Sequence, residues 1–158
     1  MIASVIVPII KISGLSHICM IRRSRYLKNH PGQIGFPGGF IEKNEDVFSG
    51  ALREMKEEIG IDKESFTLIS KLDNQFTHNK IEVVPFIGFI ESSIFCLSKN
   101  EVEDVYFIAI QDILKTEKEF ILMNDGREII KYRIEDTIIW GLSATIIENS
   151  LPILNSIR

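Results

Sequence analysis

The fold is indicated by residues 39–61, which read GFIEKNEDVFSGALREMKEEIGI. This stretch predicts a glycine turn, one amphipathic helix and a stop. At about 100° per residue, six apolar side chains fall on one side of the helix. They are Val47, Phe48, Ala51, Leu52, Met55 and Ile59. Asn44 or Asp46 can cap the start of the helix, and Gly60 suits its end. The apolar side is therefore expected to pack against a core.

Another side of this helix is acidic. Glu54, Glu57 and Glu58 stand three and four residues apart, so their carboxylates crowd one another. Such like-charge pairs weaken a helix by roughly 0.2–0.5 kcal/mol each, and only Arg53 lies beside them. A divalent cation would neutralise the cluster, because Mg²⁺ accepts carboxylate oxygens while it retains several waters. A solvated, glutamate-rich surface explains the helix geometry equally well.

The wider spacing separates these two interpretations. Gly39 is followed after five residues by Glu45, and after seven more by the run REMKEEIGI at residues 53–61. This pattern matches the Nudix box at every defined position, and the chain therefore resembles a Nudix hydrolase. The resemblance implies hydrolysis, dependent on Mg²⁺ or Mn²⁺, of a diphosphate that joins a nucleoside to another group.

The composition fits a single Nudix hydrolase domain at residues 1–158. The apolar fraction of 45% and the charged fraction of 25% are typical of a soluble globular protein. A net charge of −4 argues against a nucleic-acid-binding surface. The apolar start, residues 1–10, lacks a basic segment and predicts a strand rather than a signal peptide, and no run is long enough to span a membrane. Cys19 and Cys96 are expected to be reduced core residues of a cytoplasmic protein. Monomer and homodimer both remain open.

Apolar runs and turn signals predict the remaining elements. Strands are expected at 3–12, 16–22, 66–73, 82–91, 103–108, 119–123 and 129–134. A short helix is expected at 111–116 and an apolar helix, holding Trp140 in the core, at 137–149. Pro85 indicates a bulge or a strand edge, and the NDG sequence at 124–126 indicates a hairpin. Strands with helices before and after them predict an α/β/α sandwich around a central mixed sheet, which is also the Nudix fold.

The loop before the box indicates the substrate. Residues 23–39 read RSRYLKNHPGQIGFPGG and resemble the signature of coenzyme A diphosphatases: an Arg-Ser pair, a basic run, Gly-Gln and Phe-Pro-Gly-Gly. Segments 84–88, 100–102 and 140–144 also resemble that family. The sequence departs from it at Ile21, where threonine is common, and at Asn29, where a basic residue is common. The resemblance implies cleavage of coenzyme A or its derivatives to 3′,5′-ADP and 4′-phosphopantetheine or its acyl form.

The family resemblance also assigns roles in catalysis. Metal binding falls to Glu54, Glu57 and Glu58, with the carbonyl of Gly38 or Gly39 as a further ligand. One glutamate, with Glu54 as the candidate, would also orient or deprotonate the attacking water.

Three further residues are expected to support this site. Arg53 would pair with a carboxylate of the cluster, and Glu45 would support the junction of loop and helix. Glu101 is the candidate for an acid from outside the box, with Glu103 as the other choice.

The cations of the loop suit a ligand that is rich in phosphate, because arginine can bind phosphate with two parallel hydrogen bonds. The candidate substrate-binding residues are Arg22, Arg23, Ser24, Arg25, Lys28, Gln33 and Phe36. A solvated basic loop is the alternative for each cation, and a turn-stabilising role is the alternative for Gln33.

Two other functions remain to be weighed. The chain could be a Nudix hydrolase for a nucleotide sugar or a dinucleotide, which the loop at residues 23–39 disfavours. It could also be a non-catalytic, nucleotide-binding Nudix-like module. Such a module would be expected to lose box glutamates, and all of them are present here.

Overall fold

The structure is a computed structural model that describes all residues, 1–158. Its strands are β1 (Ile2–Ile12), β2 (Leu15–Arg23), β3 (Ile34–Gly35), β4 (Gly38–Phe40), β5 (Phe66–Lys71), β6 (Gln75–Phe76), β7 (Glu82–Ile90), β8 (Val102–Ala109), β9 (Glu119–Leu122), β10 (Glu128–Ile134) and β11 (Thr137–Trp140). Its helices are α1 (Val47–Ile59), α2 (Ile110–Lys115) and α3 (Leu142–Ile157). None of these helices is long and apolar enough to cross a membrane.

A mixed sheet of eight strands forms the centre of the molecule. β1 and β7 are parallel neighbours, and β7 pairs antiparallel with β5 on its other side. β1 and β2 pair only near the turn that joins them. Beyond that point the two strands separate, and β3 and β4 fill the fork by pairing with β2 and β1 respectively. The fork therefore brings the loop before the box into the sheet, beside α1.

Both faces of the sheet are covered, because successive side chains of the central strands point to opposite faces. On one face, Ile6 packs with Met55 of α1. On the other face, Val7 packs with Ile147 of α3 and Tyr132 of β10. The predicted α/β/α sandwich around a mixed sheet is therefore confirmed. A second, three-stranded sheet of β9, β10 and β11 accompanies α2 and α3 on their face.

The ends of α1 follow from local sequence. Asp46, and not Asn44, caps the start, since its carboxylate accepts the N–H groups of Phe48 and Ser49 at 3.1 and 3.0 Å. Gly60 ends the helix with φ of 76°, and its N–H donates to the carbonyl of Lys56 at 2.9 Å. These contacts fix the length of α1 and thereby the position of the glutamates on it.

The predicted helix at 137–149 is wrong in its first turn. Residues Thr137–Trp140 form β11, which pairs antiparallel with β10, and the helix starts only at Leu142. Three β-branched side chains followed by tryptophan suit a strand better than a helix. Gly141, with φ of 64°, makes the change of direction. Trp140 is 39% exposed and does not lie in the core.

The two cysteines differ from one another. Cys19 is buried and free, as expected, and burial raises the pKa of its thiol to about 12. Cys96 is also free but exposed, which corrects the expectation of a core residue. Its backbone N–H donates to the carbonyl of Ile59 at 2.9 Å, so its segment runs along the surface at the end of α1.

Pro85 lies inside the central strand β7, paired with Val5 of β1, and on its other side it falls in the gap between the pairings with β5 and β6. The pairing of β5 with β7 ends at Lys71 and Phe86, and the carbonyl of Pro85 accepts the N–H of Leu72 at 2.9 Å. The register shift between these strands lies elsewhere, between Leu68 and Ser70. The missing N–H of the proline therefore interrupts no regular ladder.

Candidate active site

Glu58 is the one buried carboxylate of the chain, with 4% of its surface exposed. It lies near the end of α1 and accepts the N–H of Gly38 at 2.9 Å. Burial raises its pKa to about 8, and the charges of Glu54 and Glu101 add to this effect. The hydrogen bond from Gly38 and the charge of Arg23 oppose it. The positive charge near Glu58 is therefore too small to offset the effect of burial on its pKa.

The raised pKa of Glu58 predicts a pH-dependent stability without added metal. Its folded-state pKa exceeds that of an unfolded glutamate, so the folded chain binds more protons between about pH 4.5 and 8. Unfolding free energy should therefore fall as the pH rises through this window. Urea unfolding in chelator at pH 5 and pH 8 should show a fall about 1–3 kcal/mol larger in the wild type than in Glu58→Gln. Equal pH dependence of both proteins would contradict the burial of a charged Glu58.

Glu54 faces the backbone of Gly39. A Cβ atom built on Gly39 would lie 2.5 Å from the carboxyl carbon of Glu54, so a side chain at position 39 would displace this carboxylate. Burial raises the pKa of Glu54, and the hydrogen bond and charge of Arg53 oppose that effect. The charges of Glu57 and Glu101 raise it further. The carboxylate of Glu54 therefore packs against the backbone of Gly39 in the short strand β4.

Arg53 connects the box to the preceding loop. Its Nε and Nη2 donate to the two oxygens of Glu45 at 2.8 and 3.1 Å. Its Nη1 donates to Glu54 at 2.8 Å and to Glu57 at 3.2 Å, and Nη2 also donates to the carbonyl of Phe40 at 3.0 Å. The bond to Glu45, followed by the contacts with Glu54, raises the pKa of Arg53. One guanidinium thus holds three carboxylates and the turn before α1.

The loop side of this junction is held by Glu45. In addition to Arg53, the Glu45 carboxylate accepts the backbone N–H of Glu42 at 3.0 Å. The hydrogen bond from Arg53, with that from Glu42, lowers the pKa of Glu45. These contacts lie at the junction of loop and helix where the sequence placed Glu45.

The carboxylates do not yet form a metal-binding cluster in the free chain. No three histidine, cysteine, aspartate or glutamate side chains converge closely enough to hold a metal ion. Glu54 and Glu57 accept hydrogen bonds from Arg53, whereas Glu58 accepts one from the N–H of Gly38. The donors still suit a divalent cation, since they are carboxylate oxygens in a pocket that raises the pKa of Glu54 and Glu58. The three glutamates thus have the donor chemistry that such an ion needs, with Glu57, whose side chain is 53% exposed, as the most exposed of the ion-paired ones.

The carbonyls of the two glycines point in different directions. The N–H of Gly38 points to Glu58, and in an extended strand the carbonyl of the same residue lies on the same side. Gly39 is paired in register with Ser4 of β1, so its polar groups face the sheet. Of the two carbonyls expected as ligands, that of Gly38 is the better placed.

The structure distinguishes the two acids outside the box. The charge of Glu101 raises the pKa of both Glu54 and Glu58. Glu103 instead accepts the backbone N–H, Nε and Nη2 of Arg25 at 2.9, 2.8 and 3.3 Å. These bonds lower its pKa to about 2. Glu103 is therefore engaged by Arg25, whereas Glu101 acts on the box glutamates through its charge.

The two ends of the loop after β2 are hydrogen-bonded to each other. Arg23 donates its N–H to the carbonyl of Gln33 at 2.9 Å, and its carbonyl accepts the N–H of Gly32 at 3.1 Å. The next N–H, that of Ser24, donates to the carbonyl of Glu101 at 2.8 Å. Arg23 thus sits at the base of the loop, where its charge lowers the pKa of Glu58.

Two of the predicted substrate-binding residues are buried. Ser24 is 1% exposed, and its hydroxyl accepts the N–H of Tyr26 at 3.3 Å. Phe36 is 8% exposed and belongs to the core on the α3 face. Direct contact with a substrate, expected from the sequence for both, conflicts with this burial. Both side chains support the loop from within.

Four other candidate substrate-binding residues are at least partly exposed, and their contacts differ. Lys28 is exposed. Gln33 is half-buried, and its backbone carbonyl accepts the N–H of Arg23. Arg25 is engaged by Glu103. Arg22 places its guanidinium over the ring of Tyr106, 5.2 Å from the centroid.

Sequence reasoning missed two residues of this region. Tyr106 lies under Arg22, and Ser98 donates its N–H to the backbone carbonyl of Glu58 at 3.0 Å. Alternation along β8 could have placed Tyr106 on one face of the sheet, but its partner depends on the pairing of β8 with β2. No local signal marks Ser98, because only its backbone makes the contact.

Comparisons with known proteins agree with this architecture. The family model of the NUDIX domain matches residues 3–135. A probable Nudix hydrolase of Schizosaccharomyces pombe is 30% identical over 151 residues, which cover 92% of this chain and 53% of that protein. The chain thus spans about half the length of that relative. The uncharacterised Nudix hydrolase NudL of Yersinia pestis is 30% identical over 154 residues, which cover 93% of this chain and 76% of NudL.

Solved structures share the fold. A MutT/Nudix family protein from Enterococcus faecalis superposes with a TM-score of 0.66 at 17% identity, over 98% of this chain and 62% of that one. An Ap4A hydrolase of Caenorhabditis elegans superposes with a TM-score of 0.61 at 23% identity, over 72% and 83% of the two chains. The fold, the family model and the relatives agree with the enzyme class predicted from the sequence, a Nudix diphosphatase. The chain therefore belongs to the Nudix hydrolase family, whose members generally use divalent metal ions.

Proposed function

We propose that the chain hydrolyses the diphosphate of coenzyme A or its derivatives and releases 3′,5′-ADP and 4′-phosphopantetheine or its acyl form. The observation that carries this proposal is the position of Arg23. This residue opens the loop that resembles the coenzyme A diphosphatase signature, and its charge acts on Glu58 of the box. Two motifs that are separate in the sequence thus meet at one place.

Glu54, Glu57 and Glu58 would hold Mg²⁺ or Mn²⁺, with the carbonyl of Gly38 as a further ligand and Glu101 as the acid from outside the box. When bound, the metal would lower the pKa of a water molecule and mask the charge of the diphosphate. The raised pKa values of Glu54 and Glu58 favour this assignment, because a cation in the pocket would relieve the repulsion among the carboxylates.

The side chains around the carboxylates have distinct tasks in this proposal. Glu54 lies half-buried against Gly39, and its raised pKa makes its carboxylate a better proton acceptor than an exposed glutamate. It is the candidate to take a proton from the attacking water. Arg53 holds Glu54 and Glu57 in one arrangement, and Arg23 faces the site with a guanidinium that can bind phosphate oxygens.

The main alternative is hydrolysis of another nucleoside diphosphate derivative, such as a nucleotide sugar or a dinucleotide. The Ap4A hydrolase of C. elegans shares the fold, but at 23% identity the likeness extends to the fold alone. A non-catalytic module is disfavoured, because every box glutamate is present and the charge of Glu54 raises the pKa of Glu58.

Mass spectrometry of reaction products tests the proposal. Coenzyme A, an acyl-coenzyme A, a nucleotide sugar and a dinucleotide should each be incubated with the chain and Mg²⁺ or Mn²⁺. We expect 3′,5′-ADP and 4′-phosphopantetheine from coenzyme A at the highest kcat/KM of the panel. A higher kcat/KM for the sugar or the dinucleotide would defeat the proposal in favour of the alternative.

Arg23→Ala is expected to lower kcat/KM for coenzyme A by about tenfold or more. Arg23 has no ion pair, and its contact with the carbonyl of Asn29 is long at 3.5 Å, so its guanidinium is available to a ligand. Arg23→Lys should recover only part of the loss, because an ammonium lacks the planar fork. Because the guanidinium faces Glu58, the loss should extend to other diphosphates.

The unfolding free energy distinguishes an Arg23 that contacts the substrate from one that only anchors the loop. Its guanidinium makes no ion pair and only one long hydrogen bond, so Arg23→Ala should change the unfolding free energy by less than about 1 kcal/mol. Activity close to that of the wild type would refute the contact with the diphosphate. A loss of activity that comes with unfolding at a markedly lower urea concentration would instead identify a structural anchor.

A further inference from the structure

Arg22 and Arg23 differ from the other arginines inside the chain because neither makes an ion pair. Each of the others has a carboxylate oxygen within 4.0 Å: Arg25, Arg53, Arg127 and Arg133. In both Arg22 and Arg23 the Nε atom is buried and has no hydrogen-bond partner. Neither guanidinium charge is paired with a carboxylate, and a bound anion would supply such a partner through the remaining N–H groups.

The two guanidinium groups lie on opposite faces of the sheet. Arg22 lies over the ring of Tyr106, a residue paired in register with Met20 of the core on the α3 face. Arg23 acts on Glu58 of α1, on the other face. Both are at the end of β2, with a register shift between them. The end of β2 thus presents one arginine without an ion pair on each face of the sheet.

The carboxylates near Arg22 are engaged elsewhere. Asp104, its partner in register on β8, accepts the N–H of its own neighbour Val105 at 2.8 Å. Glu103 accepts three hydrogen bonds from Arg25. Arg22 itself is held by Tyr106 through a cation–π contact, which fixes the plane of the guanidinium without using its N–H groups. The donors of Arg22 are thus oriented and unused.

We propose that Arg22 is a subsite for a phosphate monoester that the substrate carries outside its scissile diphosphate. Arg23 then faces the diphosphate beside Glu58, and Arg22 binds the second anion on the other face of the sheet. This inference rests on the proposed function, since the 3′-phosphate of coenzyme A is such a group. A nucleotide sugar with no phosphate beyond its diphosphate leaves Arg22 without a partner.

Binding of two nucleotides tests this subsite without any hydrolysis. Isothermal titration in Mg²⁺ should compare 3′,5′-ADP with 5′-AMP, which lacks the 3′-phosphate. The wild type is expected to bind 3′,5′-ADP about tenfold or more tightly than 5′-AMP, the factor that a charge-assisted contact provides. Arg22→Gln should bring this ratio to about one by weakening 3′,5′-ADP alone. Arg22→Lys should give an intermediate ratio, because it keeps the charge and loses the fork.

Two further variants separate a local contact from general charge. Arg133→Gln removes the same charge from an exposed position on β10 and should keep the wild-type ratio. Arg23→Gln should weaken both nucleotides by a similar factor and also keep the ratio. A ratio that Arg133→Gln lowers as much as Arg22→Gln does would show nonspecific attraction and overturn the subsite.

Other outcomes also overturn it: equal affinity of the wild type for both nucleotides, binding of neither, or a ratio that Arg22→Gln and Arg22→Lys leave unchanged. The test is independent of the reaction. Discrimination through Arg22 in a chain that leaves coenzyme A intact would refute only the proposed substrate. Cleavage of coenzyme A without discrimination would refute only the Arg22 subsite.

Discussion

Glu58→Gln is expected to lower kcat for diphosphate hydrolysis by about a hundredfold or more while the chain remains folded. The substitution keeps the shape of the side chain and an oxygen that can accept the N–H of Gly38. It removes one negative charge from a buried position that is proposed to hold a divalent cation. Glu57→Gln should have a similar effect on kcat with almost none on stability, because the Glu57 side chain is largely exposed.

A matched control is available close to the same helix. Glu64 lies just beyond α1 in an exposed short 3-10 turn, so Glu64→Gln makes the same chemical change outside the site. Product formation should be measured over a range of Mg²⁺ concentrations, with circular dichroism as a check of folding. Turnover near the wild-type level in both Glu57→Gln and Glu58→Gln would exclude the proposed metal site.

The parts of the fold that depend on neighbouring residues were predictable from the sequence. The start and end of α1 follow from Asp46 and Gly60, and its buried side follows from the apolar period. The turn between β1 and β2 follows from Ser13 and Gly14, both of which have positive φ. β11 was missed because an apolar segment becomes a strand only when another strand pairs with it, here β10.

In the candidate site, too, some residues were predictable from the sequence and others depend on contacts between distant segments. The spacing in the box identifies Glu54, Glu57 and Glu58, because those positions are fixed along one helix. The choice of Glu101 over Glu103 depends on Arg25, which lies 78 residues away in the sequence and engages Glu103. The alternation of side chains along β2 separates Arg22 from Arg23, but the partner of Arg22 depends on the pairing of β2 with β8, which brings in Tyr106. Contacts between distant segments therefore decide which of the charged residues are free to act.

Arg53→Ala is expected to lower kcat by about a hundredfold and the unfolding free energy by about 2–3 kcal/mol. The stability loss follows because Glu45 and Glu54, with side chains only 15% and 16% exposed, would lose their shared cation. The activity loss follows because Glu54 and Glu57 would no longer be held in one arrangement. KM should change less than kcat, since Arg53 contacts carboxylates and not the proposed substrate.

Arg53→Lys tests whether the geometry of the guanidinium matters as well as its charge. Lys56→Ala is the control for loss of an ion pair elsewhere on the helix. A lysine at position 53 keeps the charge but cannot reach Glu45, Glu54, Glu57 and the Phe40 carbonyl together, so it should restore part of the stability and little of kcat. Lys56, on the same helix as Arg53, makes an exposed ion pair with Asp62 beyond the helix end, and its loss should cost less than about 1 kcal/mol and leave kcat unchanged. If Arg53→Lys restored full activity, charge alone would suffice, and the fixed arrangement of Glu54 and Glu57 would have no part in catalysis.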